Sequence, residues 1–295
     1  MKRKVLKLAK PFILPFNERL LRKYYNQNLA LSTIQSWKKI LVLAPHVDDE
    51  TIGLGGTILK AVQNGTEVHC LYITNGAKSV SGMSAEELMA ARKNEAEQVK
   101  SVLGMKTVGY LDQPDGEVKV TDEVVRMLQE QISRIKPDVI FTTTLIDCHP
   151  DHVATARILA ETLKHTSYTG EVWSYEINCP MDPEYINRVV DITPYKEKKD
   201  EALKIFRSQS IDFDGFVYLS HIKPELLGLK SGVQYAESFI ALSPKEFIAA
   251  ADRLMDEGDD HSHLFRQVNK TETLLLGILP KRQRKQELYR KGYLK

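Results

Sequence analysis

A chain of 295 residues with 42% apolar side chains can bury a substantial core, which excludes a disordered polypeptide. Its formal charge of +2 hides a segregation: residues 1–23 carry eight Lys or Arg against the single Glu18, and residues 280–295 carry seven against the single Glu287. The remaining body holds 26 basic and 37 acidic side chains, net −11, and basic ends on an acidic body argue against nucleic-acid binding, which needs positive charge on the folded surface.

Residues 1–38 read as a basic amphipathic extension in which Lys and Arg interleave with Leu6, Leu8, Phe12, Ile13, Leu14, Phe16, Leu20 and Leu21. Lys10, Pro11 and Pro15 break its apolar stretch and no small-residue cleavage site follows, so it is a poor signal peptide. No run in the chain approaches the roughly 20 apolar residues that cross a bilayer. From residue 39 to about 177 short apolar runs alternate with helical patterns, as βα units do. Residues 40–44 read as a strand buried on both faces, 50–64 as a helix stopped by Gly65, and 68–74 as a second strand. Ser84 and Glu87 form a capping box for a helix to about 103, 108–111 is a third strand, and Thr121 caps a helix ending before Pro137. A fourth strand at 139–144, a helix at 153–163 and a fifth strand at 172–177 complete the regular part. Beyond Cys179 the alternation weakens, with helices near 196–206 and 244–255. The pattern predicts an α/β fold: a Rossmann-like, open, mostly parallel sheet with helices on both faces and a less regular C-terminal part. The expected divisions are 1–38, a body over 39–245, and a helical, basic C-terminal extension over 246–295.

Immediately after the first strand stands Pro45-His46-Val47-Asp48-Asp49-Glu50, and immediately after the fourth stands His149-Pro150-Asp151-His152. In such sheets ligands bind beyond the carboxyl ends of the strands, so both clusters belong to one edge. Imidazole with carboxylate suits Zn²⁺ or a similar borderline metal, and three protein ligands with an open fourth position is the catalytic pattern. One His, one Asp and one distant His satisfy it.

The two clusters resemble the signature of the PIG-L or LmbE-like zinc-dependent N-deacetylases, whose first motif reads (A/P)HPDDE and whose second reads HPDH. Gly53-Leu54-Gly55-Gly56-Thr57, Arg92-Lys93-Asn94-Glu95 and Leu111-Asp112-Gln113-Pro114-Asp115-Gly116 are similar to family segments too, over roughly residues 39–245. Val47 stands where the family usually has Pro, a departure that removes no reactive group. The resemblance implies that His46, Asp49 and His152 bind Zn²⁺, with Fe²⁺ or another divalent metal as the alternative. It further implies Asp48 as general base, His149 as a protonated oxyanion partner oriented by Asp151, and Arg92 and Asp115 as substrate-binding residues. The implied reaction is amide hydrolysis on an N-acetylglucosamine-type group of a glycolipid, nucleotide sugar or small glycoside, releasing acetate and a free amine. Two alternatives stand beside it. A phosphoesterase would gather further carboxylates for a second metal, and a non-catalytic sugar-binding protein of the same fold would have no use for Asp48.

Simpler readings exist for several of these residues. Asp48, Asp49 and Glu50 suit a helix N-terminus by charge alone, and a residue of the second cluster can cap the next helix. The Gly53, Gly55, Gly56 group reads as close helix packing rather than a dinucleotide loop, since acidic residues before it would repel a pyrophosphate. His69 reads as a satisfied strand residue, and His261 with His263 as part of a solvated acidic loop. Arg92 and Glu95, three apart on a helix, could form a surface ion pair. Glu237 lies in another family-like segment without an assigned role. Cys70, Cys148 and Cys179 form no CxxC pair or disulfide ladder, which suggests a reducing cytoplasm. The basic ends have two readings: contact with an anionic membrane surface, which favours a lipid-linked sugar, or packing on the body or across a homo-oligomer interface.

Overall fold

The computed structural model describes residues 2–25, 27–34, 36–78, 82–208, 214–255, 262–271 and 274–294, with the backbone alone for 2–12 and 262. In chain order its first half runs α1 (Lys2–Tyr24), β1 (Lys39–Ala44), α2 (Asp49–Gln63), β2 (Glu67–Thr74), α3 (Ala85–Leu103), β3 (Thr107–Gln113), α4 (Asp122–Ile135), β4 (Val139–Thr143), α5 (Pro150–Lys164) and β5 (Glu171–Tyr175). The second half adds β6 (Arg188–Asp191), α6 (Lys196–Leu203), α7 (Asp214–Leu226), β7 (Ala236–Leu242), α8 (Pro244–Met255), α9 (Leu274–Ile278) and α10 (Arg282–Gly292).

The strands form one sheet in the order β3-β2-β1-β4-β5-β7-β6. The first five are mutually parallel, β7 is antiparallel to β5, and β6 is antiparallel to β7. This is the α/β, Rossmann-like, mostly parallel open sheet the apolar runs predict. The chain steps from β1 through β2 to β3, then returns to lay β4 on the other side of β1. Right-handed crossovers place the helices of these two excursions on opposite faces: α2 and α3 pack together with α6, while α4 and α5 pack together with α8. The reversal opens a crevice at the carboxyl ends of β1 and β4, which pair from Ile40–Val139 to Val42–Phe141. Both histidine motifs begin at that crevice.

Local chemistry sets the helix ends. The Ser84–Glu87 capping box starts α3, Thr121 caps α4 through the Val124 N–H, and Gly104 ends α3 in the left-handed conformation. α5 starts at residue 150 rather than 153, because Pro150 occupies its first turn and His149 is its N-cap. β5 ends at Tyr175, two residues short of the predicted limit.

The C-terminal part is more ordered than its sequence suggests, since β6 and β7 extend the sheet, and β7 also supplies Glu237. α2 is broken at Leu54 (φ −146°, ψ 20°). Where an unbroken helix would join the Gly56 N–H to the Ile52 carbonyl, Glu237 Oε1 accepts from the former (3.0 Å) and Lys199 Nζ donates to the latter (2.7 Å). Glu237 also accepts from the Thr57 N–H (2.8 Å) and hydroxyl (2.6 Å), and Lys199 pairs with it at 2.7 Å. The buried ion pair thus splices the two pieces of α2, which gives Glu237 its structural part. The glycines serve close packing: a Cβ on Gly53 would lie 2.3 Å from the Tyr175 ring, and one on Gly56 would lie 2.6 Å from Ile192.

Candidate functional site

Asp48 occupies the N-cap position of α2 with φ 135° and ψ −26°, a strained backbone for a non-glycine residue. Its side chain makes no capping hydrogen bond. The carboxylate lines the crevice instead, so helix-end chemistry does not account for it. Glu50 is the residue used locally: it accepts from the Asp48 N–H (3.2 Å) and the Thr51 hydroxyl (2.6 Å).

Asp49 Oδ2 lies 3.3 Å from His46 Nδ1 and 3.3 Å from His152 Nε2. Each imidazole has a carboxylate at its other nitrogen. His46 Nε2 faces Asp151 Oδ2 (3.2 Å) and Asp115 Oδ1 (3.3 Å), and His152 Nδ1 faces Asp147 Oδ2 (3.5 Å). Carboxylates on the outer nitrogens favour protons there, so that His46 Nδ1 and His152 Nε2 can turn lone pairs toward Asp49 once a cation replaces their inner protons. Two inward lone pairs and one carboxylate, all buried or nearly so, fit a divalent cation. The ring nitrogens of His46, His149 and His152 also lie within 4.8 Å of one another, as do ligand atoms of His46, Asp115 and Asp151. In the second of these groups the carboxylates are already committed. Asp151 accepts from the Gly116 N–H (2.6 Å) and the Val118 N–H (3.2 Å), and Asp115 accepts from the Lys78 N–H (3.0 Å). That pattern suits holding His46 in place better than holding an ion.

The structure corrects the expected relation of Asp151 to His149. The Asp151 carboxylate is spent on His46 and two backbone N–H groups, and it is the Asp151 backbone N–H that donates to His149 Nδ1 (3.2 Å). Nδ1 is therefore the acceptor, and a neutral His149 carries its proton on Nε2. Burial, with His152 and His46 as charged neighbours, lowers His149 to about 4. Burial and then the Asp49 carboxylate push Asp48 well above the ordinary carboxylate range. Burial acts on Asp49 in the same direction, but His152 and His46 outweigh it and hold Asp49 well below that range. Adjacent carboxyls driven apart in this way suit different roles.

A cavity of about 160 Å³ unites these groups, lined by His46, Asp48, Asp49, His149 and His152 and walled by Arg92, Asp115, Phe216 and Gln267. Arg92 and Glu95 do not form the surface ion pair their spacing allows. Both are buried: Arg92 Nη1 reaches Asp115 Oδ2 (3.5 Å), while Glu95 accepts from the Ser208 N–H (2.8 Å) and hydroxyl (2.6 Å). Arg92 and Asp115 thus sit together at the pocket. Sequence reasoning missed Asp147, Lys78, Asn178, Phe216 and Gln267. Asn178 Nδ2 donates to Asp147 Oδ1 (3.4 Å) and its Oδ1 accepts from Gln267 Nε2 (2.6 Å), which links the C-terminal part to His152. Only Asp147 left a signal, as a carboxylate two residues from His149.

A larger cavity of about 650 Å³ lies at the opposite edge, between residues 136–138 and 165–170, and gathers no converging imidazoles or carboxylates. His69 is hydrogen-bonded to the Thr107 hydroxyl (2.8 Å) on the sheet, away from the crevice. His261 lies outside the described residues. The three cysteines are free thiols.

The chain is similar to known proteins in sequence and in fold. The chain is 28% identical over 218 residues to the diacetylchitobiose deacetylase of Thermococcus kodakarensis, covering 68% of this chain and 81% of that protein. It is 26% identical over 187 residues to the probable N-acetyl-alpha-D-glucosaminyl L-malate deacetylase 2 of Bacillus anthracis, covering 58% and 81%. Among solved structures, the N,N'-diacetylchitobiose deacetylase of Pyrococcus horikoshii superposes with a TM-score of 0.64 at 28% identity, over 79% of this chain and 93% of that one. The profile of the PIG-L family, described as GlcNAc-PI de-N-acetylase, matches residues 41–163, the span from β1 to the end of α5 that carries both histidine motifs.

Proposed function

We propose that the chain is a divalent-metal-dependent N-deacetylase of an N-acetylglucosamine-type sugar, with His46, Asp49 and His152 as the metal-binding set. The observation that carries this reading is the convergence of His46 Nδ1 and His152 Nε2 on Asp49 Oδ2, with the uncommitted Asp48 carboxylate lining the same cavity. Zn²⁺ suits this donor set, and a bound cation would acidify water and polarise the acyl oxygen. Asp48, raised by burial and by Asp49, takes the proton from the attacking water and returns it to the leaving amine nitrogen. His149 offers its Nε2–H to the oxygen that gains charge in the tetrahedral state, a role open to the neutral imidazole. Asp151, Asp115 and Asp147 hold the two metal-binding imidazoles in register from behind. Arg92, paired with Asp115 at the pocket wall, orients the sugar. At about 160 Å³ the cavity suits an acyl group and its attacking water, leaving the sugar and whatever it is attached to at the mouth.

The relatives named above, which act on acetylated amino sugars by their names, support the acyl group and the sugar class. The test is to incubate Zn²⁺-loaded and Fe²⁺-loaded protein with free, nucleotide-linked and lipid-linked N-acetyl sugars and to assay free amine. Amine release from at least one class, abolished by chelation, is expected; no release from any class overturns the deacetylase reading.

A further inference from the structure

The two basic ends of the chain meet in space. The Arg282 guanidinium at the start of α10 lies 4.8 Å from the centre of the Tyr24 ring at the end of α1, and α1 also packs against α9. One side of α1 is anchored: Leu21 and Asn17 are buried, Asn17 donates to the Thr271 carbonyl (3.3 Å), and Glu18 accepts from the Tyr218 hydroxyl (2.8 Å). The other side is open. Phe16, Arg19 and Lys23, spaced three and four apart, are all exposed, Phe16 at 60%. On the neighbouring α9, Leu276 is 50% exposed. In sequence the same helix carries Lys2, Arg3, Lys4, Lys7 and Lys10 before this stripe.

We infer that this face of α1, together with the adjoining surface of α9 and α10, is a docking surface for an anionic lipid membrane. Arg19 and Lys23 on the stripe of exposed Phe16, with Arg282 from the other chain end over Tyr24 and exposed Leu276 on the adjoining α9, match a surface bearing negative headgroups over an apolar layer. Among the described residues no helix is long and apolar enough to cross a membrane, so the contact is one of lying on the surface. A protein partner would also meet the exposed aromatic, but it would not explain basic residues contributed by both chain ends. The placement has a consequence for the crevice. α1 is held by α7 and by the segment before α9, and these supply Phe216 and Gln267 to the pocket wall. The surface is assigned independently of the reaction, and its test reads binding alone.

The experiment is co-sedimentation of the full chain with phosphatidylcholine vesicles made with and without phosphatidylglycerol, at low and at raised salt. Binding is expected only with the anionic lipid, and weaker in salt. Losing two basic residues at the surface, as in R19Q/K23Q, lowers partitioning about 25-fold, at about fivefold per charge. F16S lowers it further, whereas K106Q/K245Q, which removes the same charge from elsewhere on the body, leaves it unchanged. Thermal unfolding of each variant checks that the fold is retained. Absence of binding by the unmodified chain, binding indifferent to anionic lipid, or equal loss in the two double variants overturns the assignment.

Discussion

The crevice wall built by β1, β4 and the turns after them holds every imidazole of the cluster and every carboxylate but Asp115, which follows β3, whereas residues beyond β5 contribute Ile177, Asn178, Phe216 and Gln267, none of which ionises. The first wall rests on a parallel sheet, with its side chains set by short turns into α2 and α5. The second comes from longer connections that reach the pocket through contacts such as the Gln267–Asn178 hydrogen bond and the Val268 N–H on the Asn178 carbonyl. On the proposed reading the reacting groups sit on the sheet side and fit to the ligand on the loop side, the usual division in a sheet of this type.

Substitutions on the two walls should therefore fail differently. Asp49→Ala removes the carboxylate on which both imidazoles converge, so bound metal and amine release are both lost; mass-spectrometric metal content equal to that of the unmodified protein would contradict the assigned ligand set. Asp48→Asn is expected to lower kcat by about 10²- to 10⁴-fold, the range for a general base, with metal content unchanged. A variant retaining full kcat removes Asp48 from the chemistry. Asp147→Asn, acting through His152 Nδ1, should weaken metal binding about 10- to 100-fold in a competition titration against a chromogenic chelator. Gln267→Ala on the opposite wall should raise KM about fivefold, roughly the value of one hydrogen bond, while kcat and metal affinity hold. If Gln267→Ala instead lowers metal affinity as much as Asp147→Asn does, the two walls are not separable.

The legibility of the sequence follows the same division. β1 and β4 announce themselves as continuous apolar runs, each followed at once by a titratable cluster, so His46, Asp48, Asp49, His149 and His152 could be read before their geometry was known. Arg92 and Asp115 needed the resemblance, because spacing alone allowed an exposed pair with Glu95; only tertiary burial distinguishes the two. Asp151 was legible as a site residue but not in its orientation. Its carboxylate is drawn to His46 and to the N–H groups of Gly116 and Val118, a choice fixed by a loop 33 residues and more away in the chain. Phe216 and Gln267 left no mark, since neither an aromatic in a short helix nor an amide in an irregular segment has a period or partner visible in one dimension. The antiparallel strand β6 was hidden for a related reason: a four-residue strand after an irregular stretch carries too little pattern to be separated from a loop.

The splice in α2 bears on how the protein matures. The turn that presents Asp48 and Asp49 is joined to the rest of its helix through a carboxylate 180 residues later in the chain, on the strand that is sixth in sheet order and last to be synthesised. A fragment ending ahead of residue 236 would contain both histidine motifs yet leave the Gly56 and Thr57 N–H groups without their acceptor and Lys199 without its counter-ion. In such a fragment the first turns of α2, with Asp48 and Asp49 at their start, would lose their tie to the rest of the helix, and weaker binding of a divalent cation than by the full chain is expected in a titration of the two.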